Sequence, residues 1–170
     1  PCREEDFVIL MRSPGSRGAA YADALAEQGL TCAYEENQDF FSSMEISCML
    51  SMLAIIDNPR QDVPLIAVLR SPVFRFSPDR LAEIRGKTRE GDFYHAVSQD
   101  GGEDCRQFLK DLTELRLLSR DMSVYRLIWH IYNRWNLLGI FGAMDRGQQR
   151  RENLIALTEH AEKLESGGYC

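Results

Sequence analysis

Apolar and polar positions change period along this chain, and the change divides it in two. Asp6 to Arg12 (DFVILMR) is a short apolar run closed by a charge, the pattern of a buried strand. Ser13-Pro14-Gly15-Ser16 breaks it. Ala19 to Gln28 is rich in Ala, Leu and Glu and stops at Gly29, as a helix does. Leu30 to Tyr34 reads as a second short strand. Strand, turn, helix, glycine, strand is the unit of a parallel α/β sheet. One such unit cannot bury a core alone, so it needs the rest of a sheet or must pack on the helical part of the chain.

From Asp39 onward the period is helical. Ser42 or Ser43 is placed to cap a helix, with Glu45 in its first turn. Ile46, Met49, Leu50, Leu53 and Ile56 recur three and four apart, and Asp57-Asn58-Pro59 ends the run. Pro64 to Arg70 predicts a short helix stopped by Ser71-Pro72. Ser77 caps the next, with Pro78 at its first position and Asp79 after it. Phe93 to Val97 is a brief helical stretch, and Gln99 to Glu103 a glycine-containing loop. Asp104 to Leu118 carries Phe108, Leu112 and Leu115 on one face; Ser123 to Leu138 carries Val124, Leu127, Ile128, Ile131 and Trp135. Leu137 to Gly142 is expected to be an apolar loop packed inward, and Gln148 to Glu165 a helix with Leu154, Leu157, Ala161 and Leu164 inside. The expected fold class is mainly α: a small, incomplete α/β segment over 1–36, then an irregular helical domain over 37–170.

Composition excludes more than it selects. Of 170 residues, 44% are hydrophobic and 27% charged, ordinary for a globular protein, and no apolar run approaches the length of a membrane span. The chain opens at Pro1 without a methionine or apolar leader and closes abruptly at Cys170, so both ends are expected to be cuts within a longer polypeptide. Five cysteines, at 2, 32, 48, 105 and 170, are odd in number and not spaced as metal ligands. Cys48 falls in an apolar helical pattern and reads as a reduced core thiol, which favours a reducing, cytoplasmic setting.

The net charge of −6 argues against a dedicated nucleic-acid binder. The charge is uneven, however. Between Asn58 and Gly91 seven bases (Arg60, Arg70, Arg75, Arg80, Arg85, Lys87, Arg89) stand against four acids (Asp62, Asp79, Glu83, Glu90). Such a stretch is either a phosphate-facing patch or a solvated face.

Catalytic signatures are missing. The chain has no GxxxxGK[ST] phosphate loop, no GxGxxG after its first strand, and no GxSxG, HExxH or CxxC. His95, His130 and His160 lie far apart on helical stretches. The chain is therefore expected to be non-catalytic by itself, without catalytic residues, cofactor or metal of its own.

Several stretches together resemble one family. Asp6 to Ser13 (DFVILMRS) resembles the strand ending in Arg-Ser in the second motor domain of UvrD-like helicases. Asp39 to Met52 (DFFSSMEISCMLSM) resembles that family's Phe-Phe, acidic-Ile helix. Leu53 to Arg70 (LAIIDNPRQDVPLIAVLR), followed by Ser71-Pro72, is similar to the form found in AddA subunits of Gram-positive-type helicase–nucleases, Asp57 to Asp62 being the most distinctive run. Gln149-Arg150-Arg151-Glu152-Asn153-Leu154, with Leu157 and Ala161, resembles the family's Gln-Arg-x-x-Asn-Leu helix. The likeness extends over nearly the whole chain; from about Lys87 to Arg120 only the helical pattern supports it.

The resemblance implies that 1–36 are part of the RecA-like domain 2A and 37–170 the helical domain 2B inserted in it. It implies a parent that is an ATP-dependent DNA helicase and exonuclease, unwinding and resecting duplex ends for double-strand break repair by recombination. ATP and magnesium would be held elsewhere in that parent. Its partner would be an AddB-type subunit and its substrates duplex ends and single-stranded DNA, with no membrane involved. Arg12 and Ser13 match a strand-end position facing the DNA cleft, and are either a phosphate contact or a surface pair. Arg70 to Ser77 (RSPVFRFS) matches a loop and helix start that approaches duplex backbone in relatives, so Arg70, Arg75 and Ser77 are candidate DNA contacts. Ser77 would leave free backbone N–H groups at a helix N-terminus. Relatives often carry Gly where this chain has Arg75, so either the arginine replaces a backbone contact by a side-chain one or the loop is structural, the structural reading being preferred. Trp129, Tyr132 and Trp135, at helical spacing, read as packing rather than as base-stacking platforms. The alternative function is a helical, acidic module that docks a partner subunit without touching DNA.

Overall fold

The computed structural model describes residues 3, 6–11, 15–30, 32 and 40–168. It divides into two units, Pro1–Phe40 and Phe41–Cys170.

In the first unit, α1 runs over Gly15–Glu27. Gly29 stops it in the left-handed region (φ 75°), where Gly29 N–H donates to Ala26 C=O at 2.9 Å and Leu30 N–H to Leu25 C=O at 3.0 Å. These two bonds satisfy carbonyls the last helical turn would otherwise leave bare, a cap that needs a residue free of the Cβ penalty. The strand expected over Asp6–Arg12 is not formed among the described residues: Asp6 to Met11 take part in no ladder, and Phe7 and Leu10 are 72% and 90% exposed. A strand exists only by pairing its backbone with a neighbour, and no other strand occurs among the described residues. Of the second expected strand, Leu30 and Cys32 are described and neither is in a strand; Thr31, Ala33 and Tyr34 lie outside the described residues, as do Arg12 and Ser13.

The second unit is helical throughout. A 3-10 turn at Phe40–Ser42 precedes α2 (Met44–Asp57), followed by α3 (Asp62–Arg70), α4 (Pro78–Lys87), α5 (Phe93–Gln99), α6 (Glu103–Leu118), α7 (Val124–Trp135), α8 (Leu137–Gly142) and α9 (Gly147–Ser166). Local chemistry explains most boundaries. Ser77, Asp92 and Ser123 each accept the backbone N–H three residues on, at the starts of α4, α5 and α7.

α2 lies against α3, α6 and α9. Contact on three sides explains why Cys48, Met52 and Ile55 are buried along with Ile46, Met49 and Ile56, a wider face than the periodicity implies. Leu50, expected inside, is 37% exposed, and Val124 and Leu164 also face outward. The C-terminus of α2 is closed by Arg116, whose Nη1 donates to Ile56 O at 2.8 Å and Asp57 O at 3.0 Å. That places a cation at the negative end of the helix.

Leu137 to Gly142, expected as a loop, is the short helix α8. Asn136 adopts a left-handed conformation (φ 50°), ending α7 and letting the chain turn straight into α8. Asn is among the few residues other than Gly that tolerate this region. Leu137 and Phe141, four apart, then share a buried face. α9 packs on α7, α8 and α2, and the buried Tyr132 hydroxyl donates to Leu154 O at 2.9 Å. Burial pushes the Tyr132 phenol well up.

Candidate nucleic-acid interface

Arg70, Arg75 and Ser77 lie on one short connection, between the last residue of α3 and the cap of α4. The connection is closed on itself. Phe76 N–H donates to Leu69 O, and Arg75 N–H to Ser71 O, each at 2.9 Å. Buried Ser71 accepts from Val73 N–H through its hydroxyl at 3.3 Å.

Its side chains alternate. Phe74 sits edge-on to Phe108 (centroids 5.0 Å apart) and to Trp135 (5.6 Å), and Phe76 is buried. Arg75, between them, is exposed, with φ 58°. The left-handed backbone there is the conformation glycine takes without steric cost. Arg75 Nε donates to Pro72 O at 2.8 Å, which steadies the guanidinium at the surface.

Ser77 caps α4, as the sequence predicts, and in doing so takes up one of the N–H groups expected to be free there. Its hydroxyl accepts the Arg80 N–H at 3.1 Å, and Pro78 has no N–H to offer. The expected cradle of free N–H groups is thereby reduced to that of Asp79, beside an acidic side chain.

The seven bases of the stretch separate into two groups. Arg60 pairs with Asp92 (3.0 Å), Arg85 with Asp62 (3.6 Å), and Lys87 with Glu83 (2.6 Å) and Asp100 (3.1 Å). Arg85 also lies over the Phe93 ring at 5.2 Å. Arg80 binds Asp100, Asp104 (2.7 Å) and Glu83 (3.2 Å). Arg70, Arg75 and Arg89 are exposed and form no ion pair among the described residues. The outward charge of the stretch is therefore these three arginines, two of them on the closed loop.

The Arg80 cluster is structural. Hydrogen bonds donated by its guanidinium to Asp104 and Asp100 hold the Arg80 pKa far above its ordinary value. Arg80, then Lys87 and the Gly102 N–H, hold the Asp100 carboxyl well below its own despite burial. Burial pushes the neighbouring Cys105 thiol up to about 12. Asp100, Asp104 and Cys105 bring their donor atoms within 4.8 Å of one another, a spacing suited to a metal ion. Arg80 already serves both carboxylates, so these residues do not fit the magnesium-bound nucleotide that the resemblance implies for the parent.

A second constellation joins two sequence motifs. Glu45, 1% exposed, accepts from Arg150 Nη1 on Oε2 and from Asn153 Nδ2 on Oε1, each at 2.6 Å. Burial opposes its charge, but hydrogen bonds from Asn153, its own backbone N–H, Arg150 and Ser43 together keep its pKa below the ordinary value. The pairing was not legible beforehand. Its signal was the presence of an acidic-Ile helix and a Gln-Arg-x-x-Asn helix in one chain.

The chain is 39% identical over 99% of its length to the A subunit of the ATP-dependent helicase/nuclease of Lactobacillus johnsonii, and 40% identical over 96% to that of Lactobacillus helveticus. It is 41% identical over 99% to that of Lactobacillus delbrueckii subsp. bulgaricus. The chain is related to one segment of the AddA family. It spans 14% of the length of these relatives. No protein-family model matches it. The Glu45–Arg150–Asn153 contact ties α2 to α9, and the loop between α3 and α4 presents Arg70 and Arg75 without an ion pair among the described residues. Among the described residues no helix is long and apolar enough to cross a membrane.

Proposed function

We propose that these residues are the 2B region, with the adjoining part of domain 2A, of a cytoplasmic ATP-dependent helicase and exonuclease of the AddA type. The parent unwinds and resects duplex DNA ends for recombinational repair together with an AddB-type subunit. ATP and magnesium act elsewhere in that polypeptide. This segment contributes no catalytic group; its task is to pack on the motor and meet the incoming duplex through Arg70 and Arg75. Alignment of 96–99% of the chain with proteins of that name supports the parentage. The observation that carries the DNA contact is the closed loop holding Arg75 outward between two inward phenylalanines, without an acidic partner. Side-chain contact through Arg75 takes the place of backbone docking at Ser77, whose N–H groups are largely used.

The second reading is a partner-docking module without DNA contact. It draws support from the net charge of −6 and from the internal pairing of Arg60, Arg80, Arg85 and Lys87. Duplex-end binding by the full polypeptide carrying these residues, titrated with salt, separates the two. Replacing both Arg70 and Arg75 by Ala is expected to weaken binding and to lower the salt slope by about 0.9 for each phosphate no longer neutralised. An unchanged slope and affinity would remove DNA contact from this loop and leave the docking reading.

A further inference from the structure

We infer that Phe74 and Trp135 are positioning residues for the duplex contact, forming a braced aromatic support that holds Arg75 in its outward, left-handed conformation. The inference rests on the DNA-contact reading above. A left-handed arginine is a costly backbone state and persists only where its neighbours over-determine it. Here the residues on either side of Arg75 do so: Phe76 is buried, and Phe74 is wedged against Phe108 at 5.0 Å and Trp135 at 5.6 Å.

Trp135 is itself braced. The Arg134 guanidinium lies 5.2 Å from the centre of its ring, and Arg134 is held by Asp111 at 2.6 Å and Glu114 at 2.8 Å. The support thus runs from α6 through the end of α7 into the loop. An arginine released from it would sample many orientations and lose its advantage in meeting a phosphate.

The test uses the full polypeptide carrying these residues and a blunt duplex followed by anisotropy, with helix content and thermal midpoint recorded for every variant. Phe74→Ala and Trp135→Ala are expected to bind about fivefold more weakly, with a salt slope as shallow as that of Arg75→Ala. Trp135→Phe, which keeps an aromatic edge for Phe74, restores both. Duplex addition shifts the component of the tryptophan emission that Trp135→Phe removes, and that shift vanishes in Arg75→Ala. If Arg75→Ala weakens binding while the two Ala variants bind as the parent does, the support is refuted and the DNA contact stands. If Arg75→Ala itself binds unchanged, both fall.

Discussion

Arg150 Nη1 donates to Glu45 Oε2 at 2.6 Å across 105 residues of sequence, inside the helical unit where Glu45 is almost wholly buried. Asn153 occupies the other oxygen, so the carboxylate is satisfied on both sides. The pair couples the first turn of α2 to the first two turns of α9. Removing the guanidinium leaves a buried charge with only part of its compensation. Arg150→Met is expected to cost roughly 2–4 kcal/mol of unfolding free energy in urea. Glu45→Gln, which removes the charge but keeps the shape, is expected to cost about 1 kcal/mol. Equal losses for the two variants would show that the charge is not what matters.

Acid should loosen the same unit. Glu45 and Asp100 both hold their protons less tightly folded than unfolded. Their contribution to stability is therefore complete above the ordinary carboxylate pKa, and is lost as pH falls below about 4 through the lower folded values. Thermal midpoints measured from pH 6 downward are expected to fall steeply below pH 4. Asp100→Asn lowers the midpoint at pH 6 and flattens that fall, and a fall as steep as the parent's would count against it.

Arg75 carries a backbone cost that glycine would not. Arg75→Gly gives up the hydrogen bond to Pro72 O but relieves the positive φ. The expected result is a protein more stable by about 0.5–1 kcal/mol in thermal unfolding, with weaker duplex binding. Arg75→Val should move stability the other way, because a β-branched side chain fits this region worst.

Gly147 opens α9 hard against the end of α8. A Cβ placed there would sit 2.0 Å from the Gly142 carbonyl oxygen, which is backbone and cannot rotate aside. Gly147→Ala is expected to cost roughly 1–3 kcal/mol and to shift the start of α9, including Arg150. Gly86→Ala meets open space in α4 and makes the control: it should be neutral or slightly stabilising by circular dichroism melts.

Much of the helical unit was legible because its cues are local. Ser77 with Pro78, Ser123 before α7, and the apolar recurrence through Phe108, Leu112 and Leu115 act within a turn or two of the residues they organise. Where prediction failed, the deciding partner was distant or missing. Leu50 points outward because α3, α6 and α9 cover other sides of α2. Asp6 to Met11 form no strand because no second strand among the described residues offers its backbone.

Sequence alone determined most of the helices, the kinship with AddA, and the candidate stretch from Arg70 to Ser77, since capping, periodicity and motif spacing are properties of neighbouring residues. Only the tertiary structure decided which bases remain available. Arg60, Arg80, Arg85 and Lys87 are neutralised by acids up to 32 positions away, while Arg70, Arg75 and Arg89 are left outward. It alone also joined Glu45 to Arg150 and twisted Arg75 into the left-handed region. Charge pairing and backbone strain depend on what folding brings within a few ångströms, and linear order does not carry that distance.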